Sequence, residues 1–300
     1  MVANGYPALT STLEGGVRVR VGVLGATGRM GQATCRAVLA ADDLELVAAV
    51  ARSSGVGHAL RELVPEAPAD LLVGESLSDL VAAEAEVVVD FSRPEATMAA
   101  IEGLLPDGVH LVSGTTGLPT AALDQLAALA GKADHGNAVW APNFALGAVL
   151  ATHFATIAAR WYPAAEVIEL HHQGKVDAPS GTAIRTANAI AAARPEGSGE
   201  PQGGAPVNRG QGSADGPPAG KESVAGVRGG EVGGVRVHSV RLPGLVAHQE
   251  VLFGGQGEVL TLRHDSLDRA SFMPGVLLAV RQVTTRTGLT VGLEPLLGLA

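Results

Sequence analysis

The sequence predicts an α/β fold with two domains: a doubly wound domain built on a parallel sheet, and a smaller α+β domain whose sheet is mixed or antiparallel. Three observations support this prediction. The chain has 300 residues, which is long for a single domain. Short apolar segments alternate with helical segments over residues 17–143, as in βαβ units. Three strand-like segments then follow one another between residues 233 and 265 without a helix between them, which favours an antiparallel sheet.

The first domain begins with the alternating segment VRVRVGVL at 17–24, which predicts a strand that ends at a glycine turn and leads into a helix at 32–41. Four more short apolar segments predict buried strands, at 44–50, 86–91, 108–114 and 137–143. Two helices are predicted between the later strands, at 94–105 and 119–131. A last helical segment is predicted at about 268–285. Periodicity alone leaves open whether it packs back on this domain.

The second domain is predicted to begin with an apolar helix at 145–161, a strand at 164–172 and a helix at 180–193. Residues 194–221 are crowded with glycine and proline and have almost no large apolar side chain, so we expect a mobile surface loop there. Three strands are predicted after it, at 233–242, 245–254 and 257–265.

Composition argues against several classes of protein. The net charge of −9 disfavours a nucleic acid or an anionic membrane surface as the main partner, because both favour a basic face. Cys35 is the only cysteine, so an intrachain disulfide cannot form. The first seventeen residues lack the basic start and apolar run of a secretory signal, and no segment reaches the ~18 to 20 apolar residues of a membrane span. We therefore expect a soluble, cytoplasmic protein.

The motif GATGRMG places Gly25, Gly28 and Gly31 where the first strand meets the first helix. Glycine lets the backbone approach a pyrophosphate closely, and the helix start offers it unpaired amides and a positive dipole end. The spacing GxxGxxG is a variant of the Rossmann pattern, and an ordinary glycine turn or a mononucleotide site are the alternatives. The strand before the motif and the helix after it favour a dinucleotide site in a Rossmann-like domain.

The residues after the second strand indicate which dinucleotide is used. An acidic side chain there would bind the ribose hydroxyls of NAD, whereas arginine can pair with the extra phosphate of NADP. The sequence has Ala51 and Arg52 at this point, followed by Ser53 and Ser54. We therefore expect NADPH to be used at least as well as NADH. The alternative is that Arg52 is a solvated surface residue.

Two more loops follow predicted strands, and they should lie at the carboxyl edge where open α/β sheets bind ligands. The first, SGTTGL at 113–118, contains Gly114, Thr115 and Thr116. The second, APNFALG at 141–147, is predicted to form the crossing between the domains. Each loop has the alternative of being a plain turn.

The segment ELHHQGKVDAPSGTA concentrates chemically active side chains. His171 and His172 end a strand, so they point to opposite faces and should have different duties. The loop that carries Lys175 is short enough to fold its ammonium back towards the histidine. Ser180 is a predicted N-cap, and the amides of Gly181 and Thr182 would lie in the first turn of a helix, where they suit a carboxylate.

Three alternatives compete for this segment. Adjacent histidines without paired cysteines are poorly spaced for zinc. Ser180 lacks the GxSxG surroundings of a serine nucleophile. A structural cluster is the plainest reading if the segment is taken alone. Combined with the dinucleotide motif, however, a general acid, a cation and an anion-binding helix start favour the reduction of a small dicarboxylate with donation of a proton.

The chain resembles the 4-hydroxy-tetrahydrodipicolinate reductase family, long called the dihydrodipicolinate reductases, of the diaminopimelate route to lysine. It does so from about Val17 to the C-terminus, in five motifs: GATGRMG, SGTTGL, APNFALG, ELHHQGKVDAPSGTA and VRLPGLVAHQEVLFGGQGEVLTLRHDS. The resemblance implies a dinucleotide-binding domain at 17–143 and about 268–300, and a substrate-binding and oligomerisation domain at 144–267. It also implies a homotetramer.

The resemblance further implies residue roles. Residues that hold the pyrophosphate would be Gly25, Ala26, Thr27, Gly28, Arg29 and Met30, with Arg52 at the adenosine ribose or its phosphate. Residues that line the nicotinamide would be Gly114, Thr115, Thr116, Ala141, Pro142, Asn143 and Phe144. His171 would donate and accept the proton, and Lys175 would be a second proton donor. Substrate contacts would be His172, Gly181 and Thr182.

The poor spacing of the ligands leads us to expect no metal. Ala51 departs from the acidic residue common in the family, which puts strict use of NADH in doubt and leaves NADPH and NADH both as candidate cofactors. Two other functions are kept as alternatives: a dehydrogenase of the aspartate or homoserine type, and a non-catalytic NADPH-binding regulatory protein.

Overall fold

The structure, a computed structural model, describes residues 18–194 and 224–299. Residues 195–221 of the predicted loop therefore lie outside the described residues. The chain forms two compact units. The first comprises the residues up to Leu146 together with those from Arg269, and the second runs from Gly147 to Asp268.

The first unit is built on a seven-stranded parallel sheet. Its strands are β1 (Val19–Leu24), β2 (Leu44–Val50), β3 (Val73–Gly74), β4 (Val87–Asp90), β5 (His110–Ser113), β6 (Ala138–Trp140) and β12 (Leu289–Val291). Its α-helices are α1 (Arg29–Leu39), α2 (Leu77–Ala82), α3 (Pro94–Leu104), α4 (Thr120–Leu129) and α7 (Met273–Val283). The central strands are continuously apolar, and Val21, Val87 and Val112 are fully buried, as expected for strands covered on both faces.

The strand order is β12-β6-β5-β4-β1-β2-β3. The chain moves outward from β1 to β3, returns to place β4 on the other side of β1, and then continues outward to β6 and β12. The order therefore reverses between β1 and β4, and ligands of open α/β sheets bind outside the carboxyl ends of the strands at such a point. The predicted doubly wound, Rossmann-like fold is confirmed.

The C-terminal segment of the chain contributes to the first unit. The predicted helix at 268–285 is divided into a 3₁₀ turn, Arg269–Phe272, and α7. Proline suits the first turn of a helix because it lacks an N–H, so Pro274 marks the start of α7. The guanidinium of Arg281 then forms two hydrogen bonds with Asp43, at 2.7 and 2.8 Å. The short elements β3, α2 and β12 were not predicted.

The second unit contains a five-stranded sheet in the order β11-β10-β7-β9-β8. Its elements are α5 (Leu146–Ala158), β7 (Ala164–His171), α6 (Gly181–Ala193), β8 (Gly230–Val232), β9 (Val235–Arg241), β10 (Ala247–Gly255) and β11 (Glu258–Ser266). Among the described strands of this sheet, only β7 and β9 pair in parallel, because α6 crosses over between them. The sheet is therefore mixed. Its core includes Val167, Ile190 and Phe253, each fully buried.

Over residues 18–194 and 224–299, no helix is both long enough and apolar enough to cross a membrane.

Candidate active site

The turn after β1 brings the chain close to the start of α1. Gly25 has a φ of +83°, a left-handed conformation that suits glycine, and its amide donates to the Val50 carbonyl at 2.8 Å. A Cβ at position 31 would lie 2.1 Å from the Gly25 carbonyl oxygen, so glycine at Gly31 allows this close approach. No side chain caps α1, whose N-cap is Gly28. The first amides of α1 thus suit a phosphate group, and the turn fits the pyrophosphate of a dinucleotide.

Arg52 lies on the loop after β2, beside the glycine turn. Its side chain is exposed. The hydroxyls of Thr27 in the turn and Ser54 in the loop are hydrogen-bonded at 3.1 Å. Ala51 is buried and provides no carboxylate for a ribose. The loop thus offers a cation and hydroxyl groups, a chemistry that suits the extra phosphate of NADP.

A buried carboxylate, Asp90, joins the loops that follow β4 and β5. It is fully buried at the end of β4. Its Oδ2 accepts hydrogen bonds from Thr97 at 2.6 Å, Ser113 at 2.8 Å and Thr115 at 3.0 Å, and its Oδ1 accepts one from the Ser92 amide at 2.9 Å. Asp90 was not among the predicted site residues, although an aspartate that ends an apolar strand was a usable signal. Asp90 holds Thr115 in place at the carboxyl edge of the sheet.

Aromatic side chains join the loops after β4, β5 and β6. The rings of Phe91 and Phe144 pack edge to face, with centroids 5.6 Å apart. A Cβ at Gly114 would lie 2.1 Å from the Phe91 ring, so glycine is required for this contact. The indole of Trp140 donates to the Thr115 carbonyl at 3.0 Å. The structure therefore brings Gly114, Thr115 and Phe144 together, as the sequence predicts for the edge of the sheet.

The other residues predicted to line the nicotinamide lie on the same loops. Thr116 is exposed, Ala141 is buried, and Pro142 is half-buried. Asn143 accepts a hydrogen bond from the Ala145 amide at 2.9 Å, which shapes the loop after β6. Of the glycine-turn residues, Ala26 is buried, whereas Arg29 is exposed and Met30 is half-buried.

In the second unit, His171 lies at the end of β7, next to a buried carboxylate. Its Nδ1 is hydrogen-bonded to Glu169, which is fully buried. Glu169 also accepts hydrogen bonds from both terminal nitrogens of Arg241, at 2.7 and 2.9 Å, and from the Ser180 amide at 3.3 Å. Burial raises the pKa of Glu169, but hydrogen bonds from His171, Arg241 and Ser239 outweigh that effect and lower its pKa to about 2. Glu169 is therefore ionised near neutral pH.

Neither Glu169 nor Arg241 was among the predicted site residues. A signal for Glu169 was present, because alternate residues of a strand share a face. Val167, Glu169 and His171 share the inner face of β7, and a carboxylate between a buried valine and a histidine needs a partner. Arg241 lies 72 residues from Glu169 in the chain, and no local pattern indicates that pairing.

His172 and Lys175 follow β7. His172 is exposed, while the Lys175 side chain is largely covered. The Lys175 ammonium donates to both oxygens of the Asp177 carboxylate, at 2.7 and 2.9 Å. These hydrogen bonds lower the pKa of Asp177 below its usual value. The loop therefore directs Lys175 to Asp177 in this structure.

The helix start of α6 has the predicted cap. Ser180 is its N-cap, and the Ser180 hydroxyl accepts a hydrogen bond from the Ala183 amide at 3.2 Å. Gly181 is exposed, and a Cβ there would have no atom within 4 Å, so space is open beside the first turn. Thr182 is half-buried. The first turn thus has open space beside backbone amides of the kind that suit an anion.

Within the described ranges 18–194 and 224–299, no group of three or more histidine, cysteine, aspartate or glutamate side chains is arranged to hold a metal ion.

A Rossmann-type sheet with a glycine turn at its switch point, joined in one chain to a unit that carries a histidine–carboxylate pair, defines a nicotinamide-dependent oxidoreductase. Comparison with known families then gives the particular class. Residues 19–144 match the family described as dihydrodipicolinate reductase, N-terminus, and residues 147–297 match dihydrodipicolinate reductase, C-terminus. The chain therefore belongs to the dihydrodipicolinate reductase family.

Individual relatives agree with this assignment. A 4-hydroxy-tetrahydrodipicolinate reductase of Nocardia farcinica is 50% identical over 281 residues, covering 94% of this chain and 99% of the relative. The reductase of Mycolicibacterium vanbaalenii is 48% identical and covers 94% of this chain and 100% of the relative. Among solved structures, a dipicolinate-bound dihydrodipicolinate reductase from Paenisporosarcina sp. TG-14 is 39% identical, with a TM-score of 0.73 over 93% of this chain and 99% of that chain.

Proposed function

We propose that the protein uses NADPH or NADH to reduce 4-hydroxy-tetrahydrodipicolinate to tetrahydrodipicolinate in the diaminopimelate route to lysine. One observation carries the proposal: His171, held by a buried carboxylate, lies on the segment that leads to the open helix start at Gly181. A histidine able to exchange a proton and a helix start able to bind an anion, on one short segment of chain, support the proposal. The names of the relatives, and the dipicolinate bound to one of them, support a small dicarboxylate as substrate.

The first unit would hold the cofactor. The amides of the glycine turn, from Gly25 to Met30, would bind the pyrophosphate. Arg52 would meet the adenosine ribose or its phosphate, and the loops containing Thr115 and Phe144 would line the nicotinamide. The absence of a carboxylate at Ala51 supports use of NADPH at least as well as NADH.

The second unit would hold the substrate. Gly181 and Thr182 would donate backbone amides to one carboxylate, and His172 would contact the substrate from the end of β7. When bound, NAD(P)H supplies a hydride to a ring carbon, after the 4-hydroxyl has left as water. His171 and Lys175 would then provide the proton that the adjacent carbon takes up. Orientation of the substrate through its own two carboxylates would contribute more to the rate than either proton transfer.

A direct assay tests this function. Purified protein is mixed with NADPH and enzymatically generated substrate, and loss of the nicotinamide absorbance is followed. Oxidation of NADPH that depends on this substrate is the expected result. Turnover with aspartate or homoserine instead would favour the other dehydrogenases, and cofactor binding without turnover on any of the three would favour a regulatory protein.

We also propose that the protein is a homotetramer. Ala165 and Val167 are buried with the helices of the second unit, so by alternation Ile168 and Leu170 lie on the other face of the sheet. That face supports assembly, because apolar side chains on an open sheet favour packing against a second copy. Light scattering tests this: Ile168→Arg should lower the mass, and Leu72→Arg, which changes an exposed residue of the first unit, should not. A wild-type mass near the 30.2 kDa of one chain would contradict the proposal.

We propose a cytoplasmic location, because the reaction consumes NAD(P)H from the cell interior. Cell fractionation with an antibody to the chain tests it.

A further inference from the structure

Glu169 is a buried carboxylate of the second unit on which several hydrogen-bond donors converge. It is fully buried on β7, two residues before His171. A buried charge is costly unless hydrogen bonds and opposite charges surround it. Here the side chain of His171, both terminal nitrogens of Arg241 and the Ser180 amide all converge on one carboxylate. Such a concentration of partners indicates that the position is built for this carboxylate.

We propose that Glu169 is a positioning residue for proton transfer, which holds Nδ1 of His171 so that Nε2 is the ring nitrogen that exchanges a proton with the substrate. The inference rests on the proposed function, since it concerns the same reaction. A ring nitrogen that donates to a carboxylate keeps its proton, so the neutral imidazole carries its lone pair on the other nitrogen. The carboxylate also favours the imidazolium form, which is needed if His171 is to act as an acid.

Arg241 keeps Glu169 in the required orientation. One carboxylate oxygen, Oε2, is shared by His171 and a guanidinium nitrogen of Arg241, while Oε1 receives the other nitrogen. The forked geometry of guanidinium and carboxylate prevents rotation of the carboxylate about its Cγ–Cδ bond. Arg241 is itself held by the carbonyls of Val240 at 2.8 Å and Asp177 at 2.7 Å.

The same carboxylate also reaches the anion-binding helix start. The Ser180 amide donates to Oε1 of Glu169 at 3.3 Å, and Ser180 caps α6. Glu169 and Ser180 are 11 residues apart in the chain, and their hydrogen bond connects the end of β7 directly to the start of α6. Glu169 therefore fixes the distance between the proton-handling histidine and the first turn of α6.

Among the charged groups near His171, Glu169 is the one in direct contact with its ring. On β9 the nearest charge is Arg241, which is already paired with Glu169. On the loop after β7, Lys175 and Asp177 neutralise each other. The strand partner of His171 on β10 is Ala247, which carries no charge. Other ionisable groups on these elements are His172 after the strand, Arg185 on α6, and His248 with its partner Asp265 on β10 and β11. Further ones are Glu166, Arg236, His238, Glu250, Glu258, Arg263 and His264.

The substitution Glu169→Gln tests the proposal, because it keeps the shape of the side chain and removes its charge. Removal of the charge beside the imidazole should move the alkaline limb of kcat/KM to lower pH. Loss of an orienting partner should also lower kcat by ~10 to 100-fold. The matched control is Glu166→Gln, the same change on the same strand but on its other face, which should leave the limb in place.

A variant that lost activity through poor packing alone would have a lower kcat and an unmoved limb, and that result would overturn the proposal. Glu169→Asp keeps the charge, so its alkaline limb should stay nearer to that of the wild type than the limb of Glu169→Gln does. Circular dichroism and urea unfolding report whether each variant is folded, and NADPH binding should be unchanged because the cofactor residues lie in the other unit.

Nitrogen-15 NMR of histidine-labelled wild-type protein gives a readout that does not depend on turnover or on the folding of a variant. For neutral His171 we expect the signal of the tautomer that carries its proton on Nδ1. A proton on Nε2 in a protein that reduces the substrate would overturn the positioning role and leave the proposed function intact. The expected tautomer in a protein without turnover would overturn the proposed function instead.

Discussion

Gly31 is the most confined position of the glycine turn, and the change Gly31→Ala should destabilise the first unit. The added methyl carbon would lie 2.1 Å from the Gly25 carbonyl oxygen and 2.7 Å from the Ala26 Cα. Both are backbone atoms, so neither can turn aside as a flexible side chain would. Extra methylenes in a packed site cost ~1 to 3 kcal/mol, and the contacts here place this change at the upper end. Alanine stabilises a helix by about 1 kcal/mol relative to glycine. We therefore expect the free energy of unfolding to fall by roughly 2 kcal/mol.

Gly28→Ala is the matched control in the same motif. Its added carbon would meet only the Gly25 carbonyl oxygen, at 3.2 Å, and Gly28 has an ordinary φ of −73°. The free energy of unfolding should therefore change by no more than about 0.5 kcal/mol. The methyl would nevertheless occupy space beside the proposed pyrophosphate site. We expect NADPH to bind ~10-fold more weakly, which corresponds to about 1.4 kcal/mol.

Two measurements separate these effects. Urea unfolding followed by circular dichroism gives the stability of each variant, and fluorescence titration with NADPH gives its affinity. The expected pattern is a stability loss in Gly31→Ala and an affinity loss without a stability loss in Gly28→Ala. If Gly31→Ala were as stable as the wild type, the close approach of α1 to the turn would be wrong. If Gly28→Ala bound NADPH normally, the pyrophosphate would not lie against this glycine.

Three further predictions concern the cofactor, the proton donors and pH. Arg52→Ala should raise KM for NADPH and leave KM for NADH nearly unchanged, because only NADPH carries the extra phosphate; steady-state kinetics with both cofactors tests this, and a strong NADH preference unaffected by the change would contradict it. His171→Gln and Lys175→Ala should each lower kcat by ~10² to 10⁴ while NADPH affinity is retained, and a kcat near that of the wild type would refute the assigned roles. The pKa of Glu169 is lowered in the folded protein to about 2, so its charge stabilises the fold above an unfolded pKa of ~4.3 and this contribution is lost as the pH falls towards 2. Urea unfolding should show the stability gap between wild type and Glu169→Gln narrowing over that acidic range, and a gap independent of pH would contradict the prediction.

The cofactor half of the molecule was largely predictable because its signals are local. A strand, a glycine turn and a helix follow one another within residues 17–41, and the requirement for glycine arises from atoms a few residues away. The Ser180 cap is also a local signal, since its hydroxyl accepts a hydrogen bond from an amide only three residues later in the chain. The alternation of strands and helices likewise predicted the parallel sheet, because βαβ connections permit few arrangements.

The short elements and the buried polar groups were not predictable in this way. Strand β12 has three residues, and it is a strand only because β6 provides its hydrogen bonds. Asp90 and Thr115 are 25 residues apart, and their contact depends on the neighbouring positions of β4 and β5 in the sheet. The functional roles of the individual site residues stay predictions, which the experiments above can test.

By itself, the sequence determined the class of fold and the resemblance to one family of reductases, and it predicted a dinucleotide turn and a histidine–lysine site. Only the tertiary structure decided that His171 rests on the buried carboxylate of Glu169, and that Arg241 holds this carboxylate from 72 residues away. The physical reason is range. Turns, caps and strand alternation depend on neighbours in the chain, whereas a buried charge is stabilised by whichever donors the folded sheet brings beside it.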